Sequence, residues 1–373
     1  MCSNSVKVLV TDGGYKHAYA IVKTLTLHGF KVLACGPSAL DVCAWSKYCS
    51  KYYVTPHPMK AKEFMKALRY IILREKVDIL IPVGLYSVKA VIDFEDYIKD
   101  IVLYAVPSRE AFMKAYDRYQ TYKVCLELKI PTPKTLLLGE IEDSMELSLP
   151  LVLKRRLGAS RRRYIRNMKE LNDLKGKFQG QANDWIIQEY IYGDGYGFFA
   201  LFNKGRMKAF FMHHRLREMD PSGGPSSFSE SYFNQKLLYY STKLLEHLKW
   251  HGVVMVEFKF DEYSKEFKVI EINPKFWGSL DLAITSGVNF PLLYCKMLLG
   301  EEVECEGYNL NVKYQWPLPE DFISCLLSGN IHGYVGAIVN PYVKKNISIS
   351  DLAVMVPFTL YTLKRIKRIL KSE

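Results

Sequence analysis

Three oxygen-bearing side chains lie close together along the chain between Val253 and Leu280. Glu271 and Asn273 are two residues apart in an apolar stretch, and Glu257 lies in the apolar stretch that precedes it. Residues two apart on a β-strand point to the same face, and facing residues of a hairpin are neighbours. Two carboxylates and an amide oxygen on one face suit a hard divalent cation. The spacing predicts a metal site for Mg²⁺, with Mn²⁺ as the alternative ion.

A solvated strand face is the alternative interpretation of these acidic residues, because acidic residues on strands usually face water. The flanking residues are apolar, from Val253 to Val256 before Glu257 and at Val269, Ile270 and Ile272 around Glu271. A carboxylate in so apolar a run is costly to bury without a partner. The apolar flanks therefore favour a functional site.

The same segment resembles the metal-binding end of the ATP-grasp superfamily, most of all the carboxylate–amine ligases related to the carbamoyl-phosphate synthetase large chain. The family pattern has a Glu on one strand and Glu-x-Asn-Pro-Arg on the next. This chain has Glu257 and then Glu271-Ile272-Asn273-Pro274-Lys275, with Lys275 in place of the Arg. The resemblance extends over roughly the first 300 residues and is strongest between Trp185 and Leu299. It implies that the chain binds ATP.

The resemblance implies phosphate-binding roles for residues around the next predicted strand. Lys154 ends an apolar strand and would contact the nucleotide phosphates. Arg118 stands where the family has a Lys at the head of a helix. Gly158 and Ser160 belong to the loop that would cover the phosphates.

This loop has fewer glycines than the family pattern, and Arg161, Arg162 and Arg163 follow it. Three interpretations stay open for these arginines: they replace backbone contacts to phosphate, they hold an acidic substrate, or they form a solvated basic face. Binding of RNA is disfavoured because interleaved aromatic residues are sparse.

The segment Ile187-Gln188-Glu189-Tyr190-Ile191 resembles the hinge between the two ATP-grasp subdomains. Backbone groups of Tyr190 and Ile191 would bind the adenine edge, with Glu189 beside the base. Asp194 would lie near the ribose. A hinge without ligand contacts is the alternative interpretation.

The resemblance assigns the acyl end of the site to three basic residues. Arg215 would bind the γ-phosphate and the developing acyl phosphate, and Arg217 would share its face if the strand continues. Lys275 would offer a single ammonium charge, whereas the Arg of the family pattern would offer two parallel hydrogen bonds. The neighbouring His213 and His214 point to opposite faces of a strand, which excludes a shared metal ion.

The implied reaction converts a carboxylate to an acyl phosphate at the expense of ATP and transfers the acyl group to an amine. Small-molecule carboxylate and amine substrates are therefore the expected partners. Two alternatives remain: another ATP-grasp reaction of the carboxylase or carbamoyl-phosphate type, and a non-catalytic nucleotide-binding regulator. The glycine-poor loop, Arg118 and Lys275 favour the regulator, whereas the intact set of Glu257, Glu271 and Asn273 opposes it.

The elements that must position these residues follow from the order of apolar stretches. Strands and helices alternate over the first hundred residues, which predicts a doubly wound parallel sheet. We expect a fold of the α/β and α+β classes: a Rossmann-like domain over residues 1–107, and a two-subdomain ATP-grasp domain over 108–305 that divides near residue 185. Residues 306–373 form a carboxyl-terminal extension. The Asp12-Gly13-Gly14 turn lacks the dinucleotide fingerprint and is interpreted as a plain strand-to-helix turn.

The composition is that of a globular protein, with 373 residues, 49% hydrophobic and 24% charged. Eight cysteines without a C-x-x-C pair indicate reduced thiols, and we expect a cytoplasmic protein. The net charge of +12 indicates anionic ligands, but no nucleic-acid-binding signature is visible, so no nucleic-acid partner is expected. A homodimer is compatible with this sequence.

The carboxyl-terminal tail is amphipathic and basic. An apolar run interrupted by Pro357 leads into Lys364-Arg365-Ile366-Lys367-Arg368. Such a helix either folds back on the protein or makes peripheral contact with an anionic membrane surface. Folding back is slightly favoured.

Overall fold

The computed structural model describes residues 5–141, 148–158, 162–220, 224–304, 307–346 and 349–369. The strands are β1 Lys7–Val10, β2 Lys31–Gly36, β3 Lys51–Val54, β4 Ile79–Ile81, β5 Thr135–Leu137, β6 Leu151–Arg155, β7 Arg163–Ile165, β8 Trp185–Glu189, β9 Gly195–Asn203, β10 Arg206–Glu218, β11 Ser226–Ser231, β12 Gly252–Asp261, β13 Glu266–Asn273, β14 Lys313–Gln315 and β15 Val343–Lys345. The helices are α1 Lys16–Leu27, α2 Ala61–Glu75, α3 Leu85–Asp93, α4 Arg109–Tyr116, α5 Arg118–Glu127, α6 Met168–Lys177, α7 Gln235–His247, α8 Leu280–Thr285, α9 Phe290–Leu298, α10 Phe322–Ser328, α11 Ile331–Val339 and α12 Met355–Ile369.

The amino-terminal domain is a parallel sheet with the strand order β3-β2-β1-β4. Successive residues of β1 serve opposite faces: Val8 and Val10 pack with α1, and Leu9 packs with α2 and α3. A strand that is buried on both faces has a continuous apolar sequence, and β1 has such a sequence. The predicted doubly wound parallel sheet is confirmed.

Two further sheets follow along the chain. A four-stranded antiparallel sheet has the order β5-β8-β6-β7, and a seven-stranded sheet has the order β13-β12-β9-β10-β11-β14-β15. The strands β14 and β15 come from the predicted carboxyl-terminal extension, so that segment continues the large sheet. The two sheets face each other across a cleft whose walls are described below.

A break between α4 and α5 positions one of the predicted nucleotide residues. Between the two helices Asp117 adopts an extended conformation, and its side chain accepts hydrogen bonds from the first amides of α5. Asp117 also pairs with Arg156 at 2.6 Å. The break makes Arg118 the first residue of α5.

The carboxyl-terminal helix α12 packs on the amino-terminal domain. Phe358 is buried and meets Tyr19 edge to face, with ring centroids 6.5 Å apart. Just before α12, Asp351 accepts a 2.7 Å hydrogen bond from Ser46. The tail therefore folds back on the protein, the arrangement that the sequence slightly favoured. Within the described ranges, none of the helices has both the length and the apolar character needed to cross a bilayer.

Candidate nucleotide and acyl-transfer site

Glu257, Glu271 and Asn273 lie together on one face of the hairpin formed by β12 and β13. Glu257 faces Glu271 directly in the antiparallel register, and Asn273 faces Met255. The Asn273 amide donates hydrogen bonds of 3.1 Å to one oxygen of each carboxylate. The structure thus brings together the three side chains that the spacing grouped, while their role as metal ligands stays a prediction.

Arginine side chains flank both carboxylates. Arg118 Nε donates to Glu271 Oε2 at 2.9 Å, and Arg215 Nη2 lies 3.0 Å from Glu257 Oε2. Two carboxylates that face each other across paired strands repel and need compensating cations. Burial alone would raise the pKa of Glu271, but Arg118 and Lys154 help to hold it well below its usual range. Glu271 is therefore ionised at neutral pH.

This donor set fits a small divalent cation. Mg²⁺ in proteins is usually held by one or two carboxylates together with phosphate oxygens and water. Glu257 and Glu271 supply the carboxylates, and Asn273 supplies a carboxamide within hydrogen-bonding distance of both. These are the residues that would hold the ion.

Lys154 lies in the cleft between the four-stranded and the seven-stranded sheet. It is 7% exposed, and its Nζ donates to Gln188 Oε1 at 2.7 Å. Burial lowers the pKa of Lys154 to about 7, against an opposing effect of Glu271. A buried ammonium beside a neutral amide is stabilised by an anionic ligand, so Lys154 fits a phosphate.

The predicted hinge lines the same cleft. Two small cavities of about 40 and 30 Å³ share Lys154 and Lys259 in their walls, and the first is also lined by Glu189, Tyr190 and Ile191. Lys259 Nζ donates to the Ile191 carbonyl at 3.3 Å. The predicted hinge and Lys154 therefore line adjoining cavities.

A glycine lets the hinge turn lie against β12. Gly193 has φ +139°, and a Cβ on it would lie 1.9 Å from the Phe260 carbonyl oxygen. No side chain fits there, so only glycine permits this approach. The Gly193 carbonyl accepts a 3.0 Å hydrogen bond from Lys259, which ties the turn to the floor of the cleft.

Two acidic residues of the hinge have protein partners. Glu189 Oε2 lies 3.3 Å from the Lys134 amide nitrogen and 3.6 Å from Lys268 Nζ. Asp194 lies 3.0 Å from His214 Nε2 and is not among the residues that line the two cavities. Their roles beside the base and the ribose stay predictions.

Arg215 and Arg217 diverge although they are two residues apart. A β-bulge interrupts β10 between them, which breaks the alternation on which a shared face depended. Arg215 is 8% exposed and reaches Glu257, whereas Arg217 forms a bidentate pair with Asp321 at 2.8 and 2.6 Å. The guanidinium of Arg217 thus holds the carboxyl-terminal segment.

The phosphate-covering loop is described in part. Gly158 is buried at φ +72°, and its carbonyl accepts a 2.6 Å hydrogen bond from Arg118 Nη1. Ser160 and Arg161 lie outside the described residues. Arg162 lines both small cavities, which favours the interpretation that the arginines contact phosphate or substrate.

Lys275 connects the metal-binding hairpin to a larger cavity. This cavity has a volume of about 540 Å³, and Lys275 lines it together with residues of the amino-terminal domain and of α12. Burial lowers the pKa of Lys275, while Glu257 and Glu271 oppose the shift. Lys275, the departure from the family Arg, therefore lies between the predicted metal ligands and this cavity.

Sequence reasoning did not assign several side chains that the structure places in the cleft. Gln188 orients Lys154, and Lys259 binds the hinge carbonyls. Glu218 lies 3.3 Å from Arg215 Nη1 and accepts a hydrogen bond from the Gly224 amide. Lys259 lies two residues after Glu257, so strand alternation could have placed it on the same face. For Gln188 the sequence offered no indication apart from its place in the predicted hinge.

Comparison with known proteins supports the resemblance inferred from the sequence. Residues 181–316 match the family described as ATP-grasp in the biosynthetic pathway with Ter operon. D-aspartate ligase of Enterococcus faecium (strain Aus0004) is 24% identical over 206 residues, which is 48% of this chain and 48% of that protein. The chain thus spans about half of the length of this relative.

Solved structures share the fold at low sequence identity. The ADP complex of N5-carboxyaminoimidazole ribonucleotide synthetase has a TM-score of 0.68 at 13% identity, covering 87% of this chain and 85% of that one. L-amino acid ligase from Bacillus licheniformis has a TM-score of 0.62 at 16% identity, covering 83% and 78%. The family match places residues 181–316 in an ATP-grasp family, and the solved structures show the fold that this chain shares with them.

Proposed function

We propose that the protein is an ATP-dependent ligase that joins a carboxylate to an amine. In the first step a carboxylate oxygen of the substrate attacks the γ-phosphorus of ATP, the bond to the β-phosphate oxygen breaks, and an acyl phosphate and ADP form. In the second step the amine nitrogen attacks the acyl carbon. Phosphate leaves with the bonding electron pair, the nitrogen loses a proton, and an amide results.

One observation carries this proposal: an oxygen-rich set of side chains and buried cationic groups meet in the cleft between the four-stranded and the seven-stranded sheet. Glu257 and Glu271 lie within 3.0 Å of arginine nitrogens. Lys154 lines the same cavity as both carboxylates. Anion-binding and cation-binding groups in one cleft suit phosphoryl transfer, which depends on positioning and on charge stabilisation.

Each residue has a proposed task in this reaction. Lys154 and Arg118 hold the nucleotide phosphates, and Arg215 stabilises the transferring phosphoryl group. Glu257, Glu271 and Asn273 hold Mg²⁺. An ion held by these residues would offset the charge of the nucleotide phosphates.

The hinge side of the cleft has proposed contacts with the nucleoside. Backbone groups of Tyr190 and Ile191 bind the adenine edge, Glu189 lies beside the base, and Asp194 is the candidate for the ribose. The position of Tyr190 and Ile191 in the wall of the cleft supports this assignment.

Replacing Glu271 by Gln tests the proposed metal site. The change keeps the shape of the side chain but removes a ligand charge, so we expect ADP release to fall by at least about a hundredfold, a loss of about 3 kcal/mol of transition-state stabilisation. ADP release is measured with a panel of carboxylates and amines at fixed Mg²⁺. Glu266→Gln is the matched control, because Glu266 lies on the same strand and pairs with Lys236 instead. Full turnover by Glu271→Gln would contradict the assignment.

The same assay separates the ligase from the alternatives. Release of ADP that needs both a carboxylate and an amine supports the ligase. Release with bicarbonate and no amine indicates a carboxylase-type reaction. ATP binding without ADP release for any pair indicates a nucleotide-binding regulator.

A further inference from the structure

The 540 Å³ cavity lies between four separate parts of the chain. Its walls come from the amino-terminal domain, from Pro225 before β11, from the Lys275 turn after the proposed metal-binding hairpin, and from the carboxyl-terminal segment. A volume of this order accommodates a ligand larger than a single small amino acid. Because Lys275 follows Asn273 and Pro274 directly, a molecule in this cavity lies next to the proposed phosphoryl-transfer site.

Lys16, His17 and Glu320 form a polar part of the cavity lining, called the polar end below. Some of their buried atoms lack hydrogen-bond partners among the described residues. His17 is 8% exposed, and neither ring nitrogen has a hydrogen-bond partner among the described residues. Glu320 pairs through Oε1 with Lys16 Nζ at 3.1 Å, and its Oε2 is buried without a partner in the described part of the chain. Leaving buried polar atoms unsatisfied is costly, so such groups usually form hydrogen bonds to water or to a ligand.

The polar end carries charges of both signs. Lys16 and Lys275 contribute ammonium groups, and Glu320 and Asp12 contribute carboxylates. Burial, together with Lys275 and Lys16, lowers the pKa of His17 well below its usual range, so its ring is neutral and both accepts and donates a hydrogen bond. An arrangement of this kind complements a molecule that bears both an ammonium and a carboxylate.

Glu320 is held in place by its neighbour. Asp321 is fully buried and accepts from Arg217, from Ser227 at 2.9 Å and from Gln315 at 2.6 Å. These bonds fix the short helical turn that presents Glu320 to the cavity. Buried hydrogen bonds therefore hold Glu320 in a fixed position in the wall of the cavity.

The part of the cavity lining that α12 contributes is largely apolar. It consists of Pro357, Phe358, Leu360 and Tyr361, together with Lys364. Packing of Phe358 on Tyr19 and the buried Asp351 hold the helix against the domain. A wall of this kind favours a bulky apolar body on the ligand.

Resting on the ligase function proposed above, we propose that this cavity binds an amino acid or dipeptide substrate with a bulky apolar side chain. Lys16, His17 and Glu320 bind its zwitterionic end. Leu360 and Tyr361 of α12 limit the size of its apolar body. The carboxyl-terminal helix is thereby a specificity-determining part of the enzyme.

Calorimetry with the full-length protein tests the polar end. The probes are L-phenylalanine, D-phenylalanine and L-phenylalanyl-L-phenylalanine, each measured with and without ADP and Mg²⁺. The controls, 3-phenylpropanoate and 2-phenylethylamine, keep the aromatic body but carry one charge. We expect at least one zwitterion to bind about tenfold more tightly than either control, and Glu320→Gln to abolish that preference while 3-phenylpropanoate binding is unchanged. Equal binding of the controls, or no binding of any zwitterion, would overturn the proposal.

A matched pair of variants tests the apolar wall. Leu360 lines the cavity, whereas Leu363 on the same helix is 58% exposed and is not among its lining residues. We expect Leu360→Ala to raise the affinity ratio of L-tryptophan to L-alanine by about threefold or more, and Leu363→Ala to leave it unchanged. Tyr361→Ala is the second lining variant if Leu360→Ala fails to fold. An equal affinity ratio in the lining variant and in the control variant would show that α12 does not limit the size of the ligand. Binding is read without turnover, so a failure of ligase activity in the ADP assay is distinguished from a failure of this proposal.

Discussion

The ammonium of Lys154 is buried in a cleft that we propose binds polyphosphate. Burial lowers the pKa of Lys154 to about 7, and Gln188 accepts its hydrogen bond. A lysine of this kind loses its charge near neutral pH in the free protein, whereas bound phosphate favours the charged form. Nucleotide binding is therefore linked to the uptake of a proton.

This linkage predicts a pH dependence of ATP affinity. Below pH 7 Lys154 is already charged, and above it the charged fraction falls, so the dissociation constant for ATP rises by up to about tenfold for each pH unit. Calorimetry at constant Mg²⁺ between about pH 7.5 and about pH 9 measures how the dissociation constant for ATP changes with pH. The binding enthalpies in buffers of different ionisation enthalpy give the number of protons that are taken up.

Lys154→Arg is the control for this prediction, because an arginine does not titrate in that range. The variant should bind ATP with a flat pH profile. A slope as steep as that of the unmodified protein would show that another group takes up the proton.

At the same scale, strand alternation predicted some side chains well and others poorly. Glu257, Glu271 and Asn273 converge because a regular antiparallel register preserves the period of two. Arg215 and Arg217 separate because a bulge in β10 shifts the register between them. The bulge has no local sequence signal, since it depends on how β11 pairs with β10.

At the scale of elements, the pair between Arg217 and Asp321 joins β10 to the carboxyl-terminal segment. Asp321 is fully buried, and both guanidinium contacts are shorter than 3.0 Å. Buried pairs are costly to break because the remaining charge loses its partner. The element that presents Glu320 therefore depends on this pair.

Asp321→Ala is expected to destabilise this region by about 3–5 kcal/mol, since it leaves the Arg217 charge without its carboxylate. Urea unfolding followed by tryptophan fluorescence measures the loss, with Trp316 close to the changed site. Asp96→Ala is the comparison, because Asp96 forms an exposed pair with Lys99. That variant should unfold like the original chain. A similar unfolding curve for both variants would contradict the proposed anchoring role.

At the scale of the whole molecule, the nucleotide cleft and the large cavity draw on different parts of the chain. The cleft is lined by residues of the four-stranded and the seven-stranded sheet, whereas the cavity is also lined by α12 and the amino-terminal domain. Removing the carboxyl-terminal helix should therefore affect one site and not the other.

Deletion of residues 349–373 is expected to weaken binding of the zwitterionic probe by about tenfold or more, because it removes the apolar wall. The affinity for ATP should change by less than about twofold. Calorimetry with each ligand measures both effects. Asp351→Ala, which removes the bond from Ser46 but keeps the helix, should show a smaller loss of the same kind. Unchanged binding of the zwitterion after the deletion would show that α12 does not contribute to the proposed substrate site.

The sequence by itself determined the parts of this protein that depend on local periodicity. Apolar runs alternating with helical segments specified the doubly wound sheet, and an alternating hairpin specified the oxygen-rich face at Glu257, Glu271 and Asn273. The predicted hinge at Tyr190 and Ile191 could be proposed from the sequence because its residues lie in one continuous segment. Each of these features is formed by residues that are close in the chain or in one hairpin.

The tertiary structure decided what depends on contacts between distant segments. It placed Glu320 beside Lys16, set α12 over the cavity, and directed Arg217 to Asp321 instead of the acyl end. The partners in these contacts are about 300, 350 and 100 residues apart in the chain, and no period in the sequence encodes such distances. They arise because the carboxyl-terminal segment adds two strands to the large sheet and then folds back on the first domain.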